Sequence, residues 1–359
     1  MNNPSIYING RFLTQPMTGV ARYAYGVCRA LIELGIDYNV ICPKKEVLPC
    51  YDIKGIKIIH YGRCGSHLWE QCVLPTFFIG KHDYLLYNFT GVGPLLIRNK
   101  VMTIHDVSFL ANPSWFSKSY YLWYKVMTPL AIMTSRYIIT VSEFSKSEIK
   151  RFYPFLKDEK ICVAYGAPDY ERFRPIDLTK PKERFLLTVS SLDPRKNFSR
   201  LIEAVQGIKD CKLYIVGGQN KIFKGGNVHE NDNVRYLGYV SDEDLLKLYN
   251  SADAFIFPSI YEGFGLPPIE AMACGCPVMV SDIPVLREVC GDVAVYFDPL
   301  SVENIRATIR GFINEDEKTK SDMCDRCKRH SEKYSWKNTA MTIVRATHST
   351  NVECLENKK

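Results

Sequence analysis

Strand-like apolar segments alternate with helix-like amphipathic ones along almost the whole chain, and that alternation breaks only once. In the first series, residues 5–8, 38–42, 56–59, 84–87, 101–104 and 137–141 read as strands. Between them, residues 20–34 carry apolar side chains at helical spacing, and Ser145 with Glu148 reads as a capping box that opens another helix. The break is PDYERFRPIDLTKPKER, residues 168–184, rich in proline and charge and without periodicity, which reads as a linker. A second series then places strands at 185–189, 212–216, 234–237, 254–257, 277–280 and 294–297. Helices fall at 197–206, at 242–250 behind the cap Ser241, at 302–314 and at 336–347. Such alternation predicts parallel sheets covered by helices on both faces. The expected fold class is therefore α/β, with two doubly wound, Rossmann-like domains. The boundaries are 1–167 for the first domain, 168–184 for the linker, 185–335 for the second, and 336–359 for a terminal helix and tail. Ligands of such sheets bind beyond the carboxyl ends of the strands, at the switch point, and the cleft between two of them is the expected site.

The residues with chemical character fall at those strand ends. Residues 262–270 read Glu-Gly-Phe-Gly-Leu-Pro-Pro-Ile-Glu. Gly263 and Gly265 free the backbone amides to turn toward a ligand, and Pro267 and Pro268 suit a first helical turn, whose N–H groups would be orphans anyway. A glycine-rich entry to a helix favours anions such as phosphate. Two carboxylates beside it, Glu262 and Glu270, then suit sugar hydroxyls; a capped surface turn is the plainer alternative. Ser191 to Asn197, SLDPRKN, follows the first strand of the second domain, where Arg195 and Lys196 could hold a diphosphate without a metal or form only an exposed basic turn. His105 follows the strand at 101–104, placed either for a substrate hydroxyl or for a structural pairing with Asp106. Gly19 opens the first helix, where its amide could approach a phosphate or serve as an ordinary helix entry.

Composition narrows the class. Hydrophobic residues make up 46% of the 359 and charged ones 24%, as in ordinary globular chains, and no stretch has the length of a membrane span. The opening MNNPSIYING lacks a signal-peptide pattern, and 13 cysteines scattered through apolar segments suggest reduced thiols, so the expectation is a cytoplasmic protein. Cys324 and Cys327 form a CxxC with no second pair to complete a zinc site. Residues 1–170 hold 19 Lys and Arg against 12 Asp and Glu, whereas the remainder is balanced at 27 of each. A basic first half suits an anionic membrane surface or a phosphorylated acceptor, or solubility alone. No nucleic-acid module is present. Asp242-Glu243-Asp244 imitates an Asp-x-Asp metal motif, but it starts a helix behind Ser241, where acidic residues are stabilised by the helix dipole.

Taken in order, MTGVARYAYGV (17–27), VMTIHDVSFL (101–110), VSEFSKSEI (141–149), SLDPRKN (191–197), LGYVSDEDL (237–245) and YEGFGLPPIEAMACGCPV (261–278) resemble the family-four retaining glycosyltransferases of GT-B architecture over nearly the whole length. The resemblance implies a nucleotide diphosphate sugar as co-substrate and no other cofactor and no metal. It implies that Arg195 and Lys196 bind the diphosphate, Glu262 the sugar hydroxyls and Glu270 the ribose. The amides of Gly263, Phe264 and Gly265 would lie beside the sugar and diphosphate. Gly19 would contribute an amide, His105 would sit at the anomeric side, and Gly217, Tyr239 and Val240 would line the nucleotide pocket. The helix around Trp336 would cross back to the first domain.

The form SLDPRKN resembles that of mannosyltransferases using GDP-mannose, a resemblance that favours this donor over UDP-sugars. Family analogy points to polysaccharide or lipopolysaccharide O-antigen assembly, with a lipid-linked glycan acceptor such as one on undecaprenyl diphosphate. Acceptor contacts are expected from residues 62–70, 88–94 and 114–124. The last stretch holds six aromatic residues near Lys118 and Lys125, suited either to core packing or to peripheral contact with the inner face of the cell membrane. Two alternatives stand beside a transferase. A nucleotide-sugar epimerase would act on the donor alone, and a non-catalytic subunit of a transferase complex would not need these residues together.

Overall fold

The computed structural model describes residues 4–178, 183–191, 193–206, 208–209, 211–218 and 233–347. Leu192, part of the linker (179–182) and most of the tail fall outside them. The chain divides into two compact units, the first made of 1–107, 122–167 and 335–359, the second of 108–121 and 168–334.

The first unit is built on seven strands: β1 (Ser5–Asn9), β2 (Asn39–Cys42), β3 (Ile58–His60), β4 (Tyr84–Asn88), β5 (Lys100–Thr103), β6 (Tyr137–Thr140) and β7 (Ile161–Val163). They pair in parallel in the order β3-β2-β1-β4-β5-β6-β7, so the switch point lies between β1 and β4. β7 was not expected from the sequence: it is three residues long and pairs only with β6. The helix Gly19–Glu33 begins behind Thr18, whose Oγ1 accepts from the Ala21 amide. The helix expected behind Ser145 instead runs Glu143–Phe152, with Ser142 as its cap and Ser145 donating to that cap's hydroxyl. A buried glycine lets the last helix, Trp336–Thr347, approach the first one closely. A Cβ on Gly26 would overlap the Trp336 indole, and the Tyr23 ring stands edge-on to it at 5.6 Å. Thr339 Oγ1 donates to the Tyr165 carbonyl, and Thr347 Oγ1 shares a hydrogen bond with Tyr87 Oη of β4, which ties this helix to the first sheet.

The second unit has six parallel strands: β8 (Phe185–Val189), β9 (Lys212–Val216), β10 (Val234–Gly238), β11 (Ala254–Phe257), β12 (Val278–Ser281) and β13 (Val295–Phe297). Their order is β10-β9-β8-β11-β12-β13, which puts the switch point between β8 and β11. Strands buried on both faces need continuous apolar runs, and AFIF of β11 and VMVS of β12 are buried at every position. Leu201, Leu213, Ile256, Met279 and Ile309 form the centre of the core between this sheet and its helices. Residues 108–121 group with this unit and not with the first, where the sequence boundaries put them; the Trp115 ring lies 6.1 Å from that of Tyr261. Among the described residues no helix is long and apolar enough to cross a membrane.

Candidate active site

In the second unit two loops leave the switch point side by side and are stitched together by backbone. After β8, Asp193 caps a short 3-10 turn, Pro194–Lys196, by accepting from the Arg195 amide at 3.0 Å. Asn197 then takes a left-handed conformation, φ 57°, which asparagine tolerates better than most residues. Its Nδ2 donates to the carbonyls of Pro258 and Pro299, and the Ile260 amide donates to the Arg195 carbonyl. The sequence placed Asn197 merely at the start of a helix. Its structural task is to join the ends of β8 and β11.

This stitching brings four charged side chains into one buried group. Lys196 Nζ lies 2.5 Å from Glu262 Oε1, with each side chain 9% exposed. Arg195 Nε donates to Asp193 Oδ2 at 2.7 Å. Burial lowers the Lys196 ammonium below the ordinary lysine value; Glu262 opposes that shift and Arg195 adds to it. The sequence treated the two cations as free phosphate charge and Glu262 as free for hydroxyls. In the structure each cation already has a carboxylate, so the quartet is balanced. An incoming diphosphate would therefore have to share Lys196 with Glu262.

The remaining positive potential comes from backbone. Gly265, φ 107°, sits immediately before the helix Leu266–Ala273, which has proline in its first turn. Pro267 and Pro268 carry no N–H, so the donors at this terminus are the amides of residues 263–266, and with the helix dipole they favour an anion. Glu270 lies one turn further on, buried, with Tyr249 Oη 3.4 Å from its Oε2. Phe264 is buried with its ring edge-on to Tyr334, so any ligand contact from it falls to the main chain. At the ends of the neighbouring strands, the Gly217 amide donates to the Gly238 carbonyl and the Tyr236 hydroxyl donates to the Gly217 carbonyl. Tyr239, directly after Gly238, is 78% exposed, and Val240 is half-buried. Asp242 pairs with Arg172, and Ser241 Oγ accepts from the Asp244 amide, so this acidic run is occupied as a helix start.

In the first unit, His105 follows β5, and its Nε2 lies 2.9 Å from the Phe89 carbonyl oxygen. A carbonyl only accepts, so Nε2 carries the proton and Nδ1 is the acceptor of the neutral ring. Tyr23 stands edge-on to it at 5.0 Å, and Ser145 Oγ donates to its carbonyl. Burial lowers its pKa, against opposing contributions from the Phe89 bond and from Asp106. The unfolded chain therefore takes up a proton near the ordinary imidazole value, about 6.5, where the folded chain does not. Stability is full above that pH and declines as pH falls below it. His330, also lowered chiefly by burial, acts in the same direction. His105→Asn is expected to flatten part of the fall in urea midpoint below pH 6.5. Parallel slopes for variant and wild type would show that His105 titrates normally.

Gly19 is the first residue of its helix, takes no left-handed conformation, and a Cβ there would meet nothing within 4 Å. Nothing in the local packing demands a glycine, and open space at a helix N-terminus suits the close approach of a ligand.

A family model described as Glycosyltransferase Family 4 matches residues 17–172, and one described as Glycosyl transferases group 1 matches residues 169–333. The chain is 28% identical to O-antigen chain mannosyltransferase B of Escherichia coli, over 92% of this chain and 96% of that one. The O-antigen chain mannosyltransferase RfbU of Salmonella typhimurium is 33% identical over 60% of this chain and 61% of that one. The crystal structure of HepE from Anabaena, in complex with UDP and glucose, matches with a TM-score of 0.73 at 18% identity, over 97% of this chain and 100% of that one; this is a likeness of fold. Matched from residue 17 to residue 333 and built on two parallel Rossmann-like sheets, the chain belongs to the family-four glycosyltransferases of GT-B fold.

Proposed function

We propose that the chain is a retaining, metal-independent mannosyltransferase that moves mannose from GDP-mannose to a hydroxyl of a lipid-linked glycan in O-antigen assembly. The observation that carries this reading is the buried Asp193–Arg195–Lys196–Glu262 group beside the amides of residues 263–265. When the glycosidic C–O bond to the diphosphate breaks, negative charge grows on the leaving phosphate. Arg195, Lys196 and the helix N-terminus would stabilise it. Glu262 would orient the sugar hydroxyls and Glu270 the ribose. The acceptor hydroxyl forms the new C–O bond on the face the phosphate leaves, and its proton passes to a phosphate oxygen. His105, held neutral by burial, would sit at the anomeric side without taking up that proton at pH 7. The names of the relatives support mannose. The matched transferase families favour a transferase over an epimerase or an inert subunit.

A peripheral membrane location draws support from the helix Lys118–Thr134. Leu122, Val126, Leu130 and Met133 recur there at helical spacing and are 61, 51, 39 and 62% exposed. Lys118 and Lys125 are exposed on the same helix. An apolar stripe with flanking cations suits an anionic bilayer surface.

GDP-mannose, UDP-glucose and UDP-galactose separate the donors by thermal shift. The true donor at 100 times its Kd adds about 2.7 kcal/mol of stability. Stabilisation by a UDP-sugar and not by GDP-mannose overturns the donor assignment. An inverted anomeric configuration in the product, or activity lost in chelator and restored by magnesium, overturns the mechanism.

A further inference from the structure

The segment Gly263-Phe264-Gly265 carries a single side chain, and that side chain rests on a braced support. Glycine on either side of Phe264 leaves the backbone free in itself, so its conformation has to be set by contacts. Phe264 is 6% exposed, and its ring stands edge-on to that of Tyr334, with centroids 5.6 Å apart and planes at 78°. Aromatic pairs favour this arrangement. A Cβ on Gly265 would lie 3.0 Å from Leu286 Cδ2, so the chain runs close over the buried Leu286 side chain.

Both supports belong to one hydrogen-bonded assembly in the second unit. Leu286 lies on the helix Pro284–Cys290, and side chains from further along the chain close the carboxyl end of that helix. The Val289 carbonyl accepts from Tyr334 Oη at 2.9 Å, and His330 Nε2 lies 2.8 Å from the same oxygen. A carbonyl only accepts, so His330 Nε2 carries its proton. His330 fits there because residue 291 is glycine: a Cβ on Gly291 would lie 2.8 Å from His330 Cε1. Tyr334 is the last residue of the second unit before the chain passes to the first at Ser335. Residues at the end of a unit are poorly ordered unless they are tied down. Tyr334 is tied at two places, because Tyr170 Oη donates to the carbonyls of Ser331 and Tyr334 while Tyr334 Oη holds Val289. Its ring thus links the end of the helix Pro284–Cys290 to the one side chain of the glycine-flanked segment.

We propose that Tyr334 is a positioning residue for the phosphates of the donor. It holds the Phe264 ring, and through that ring it sets the main chain of residues 263–265, whose amides would meet the diphosphate. Its effect passes through Phe264 and not through contact with the ligand. His330 and Tyr170 fix Tyr334 and the helix end in turn. The assignment rests on the transferase reading above. A plain packing role for Tyr334 predicts lost stability with no selectivity among ligands.

The phosphate-dependent share of binding is the ratio of the Kd of guanosine to the Kd of GDP, measured on the full chain by NMR titration. UDP and uridine replace them where the wild type binds UDP. Tyr334→Leu is expected to weaken the nucleoside diphosphate about threefold to tenfold, the weight of one aromatic pair, and to leave the nucleoside within about twofold. Tyr334→Phe keeps the ring, and the Val289 carbonyl keeps His330, so the ratio should return to within about twofold of wild type. Phe264→Leu tests the same contact from the loop side and should lower the ratio as Tyr334→Leu does. The double variant should lose little more, because the two rings act as one unit. Ile309→Val, a core change in the same unit, should lower thermal stability and leave the ratio alone. A wild-type ratio in either folded leucine variant overturns the proposal, and so does an equal loss of nucleoside and nucleoside diphosphate. A wild type that binds neither GDP nor UDP overturns the donor reading itself, and this assignment with it.

Discussion

Arg195→Ala combined with Lys196→Ala is expected to lower turnover by about 10³-fold or more, because two donors proposed to meet the leaving phosphate are lost together. The Michaelis constant for acceptor should move far less, since neither residue belongs to the segments 62–70, 88–94 and 114–124 from which acceptor contacts are expected. Structure complicates the experiment in one respect. Lys196 is the partner of a carboxylate that is itself buried, at 2.5 Å. Removing the ammonium strands Glu262, and breaking such a buried pair costs about 3–5 kcal/mol. Loss of activity must therefore be separated from loss of fold. Lys196→Ala with Glu262→Gln removes the stranded charge and should recover much of that stability, without recovering turnover. Single-turnover rates on protein shown to be folded by circular dichroism check this. A double alanine variant that turns over within about tenfold of wild type would remove both residues from the chemistry.

How far the sequence carries depends on how far apart the interacting residues are. β11 and β12 were legible because strands covered on both faces are unbroken apolar runs, and the terminal helices 302–314 and 336–347 fell where their periodicity placed them. Failures came where the signal was short or ambiguous. β7 is three residues at a sheet edge, and VSEFSKSEI offers two serines as caps, of which Ser142 is used and Ser145 is bonded to it. The left-handed Asn197 was hidden because one asparagine carries no periodic signal. In the candidate site, the position of the charged loops at the ends of β8 and β11 was readable, but the state of the charges was not. Lys196 and Glu262 lie 66 residues apart, and nothing in either local motif says that they neutralise one another. Tyr334 likewise carries no mark in its own segment of its packing against Phe264.

Gly217→Ala is expected to cost about 3–5 kcal/mol, combining overpacking against backbone with a conformation that side chains rarely adopt. Gly217 has φ 150°, and a Cβ built there overlaps the carbonyl of Ser190. Neither atom can move freely. The Ser190 amide is bonded to the Val216 carbonyl and the Gly217 amide to the Gly238 carbonyl, so the overlap sits where the ends of β8, β9 and β10 are tied together. For a unit of this size the cost corresponds to a fall of roughly 8–15 °C in Tm. Gly19→Ala is the matched control, because a Cβ there meets nothing within 4 Å and the backbone is not left-handed. Its Tm should stay within about 2 °C of wild type or rise slightly, since alanine is the better helix former. Any harm from Gly19→Ala should appear instead as weaker donor binding. The two glycines thus separate two reasons for the same residue type: at Gly217 the fold leaves no room, and at Gly19 the room is proposed to serve the ligand. Equal thermal stability of the two variants would show that the close packing around Gly217 relaxes at little cost.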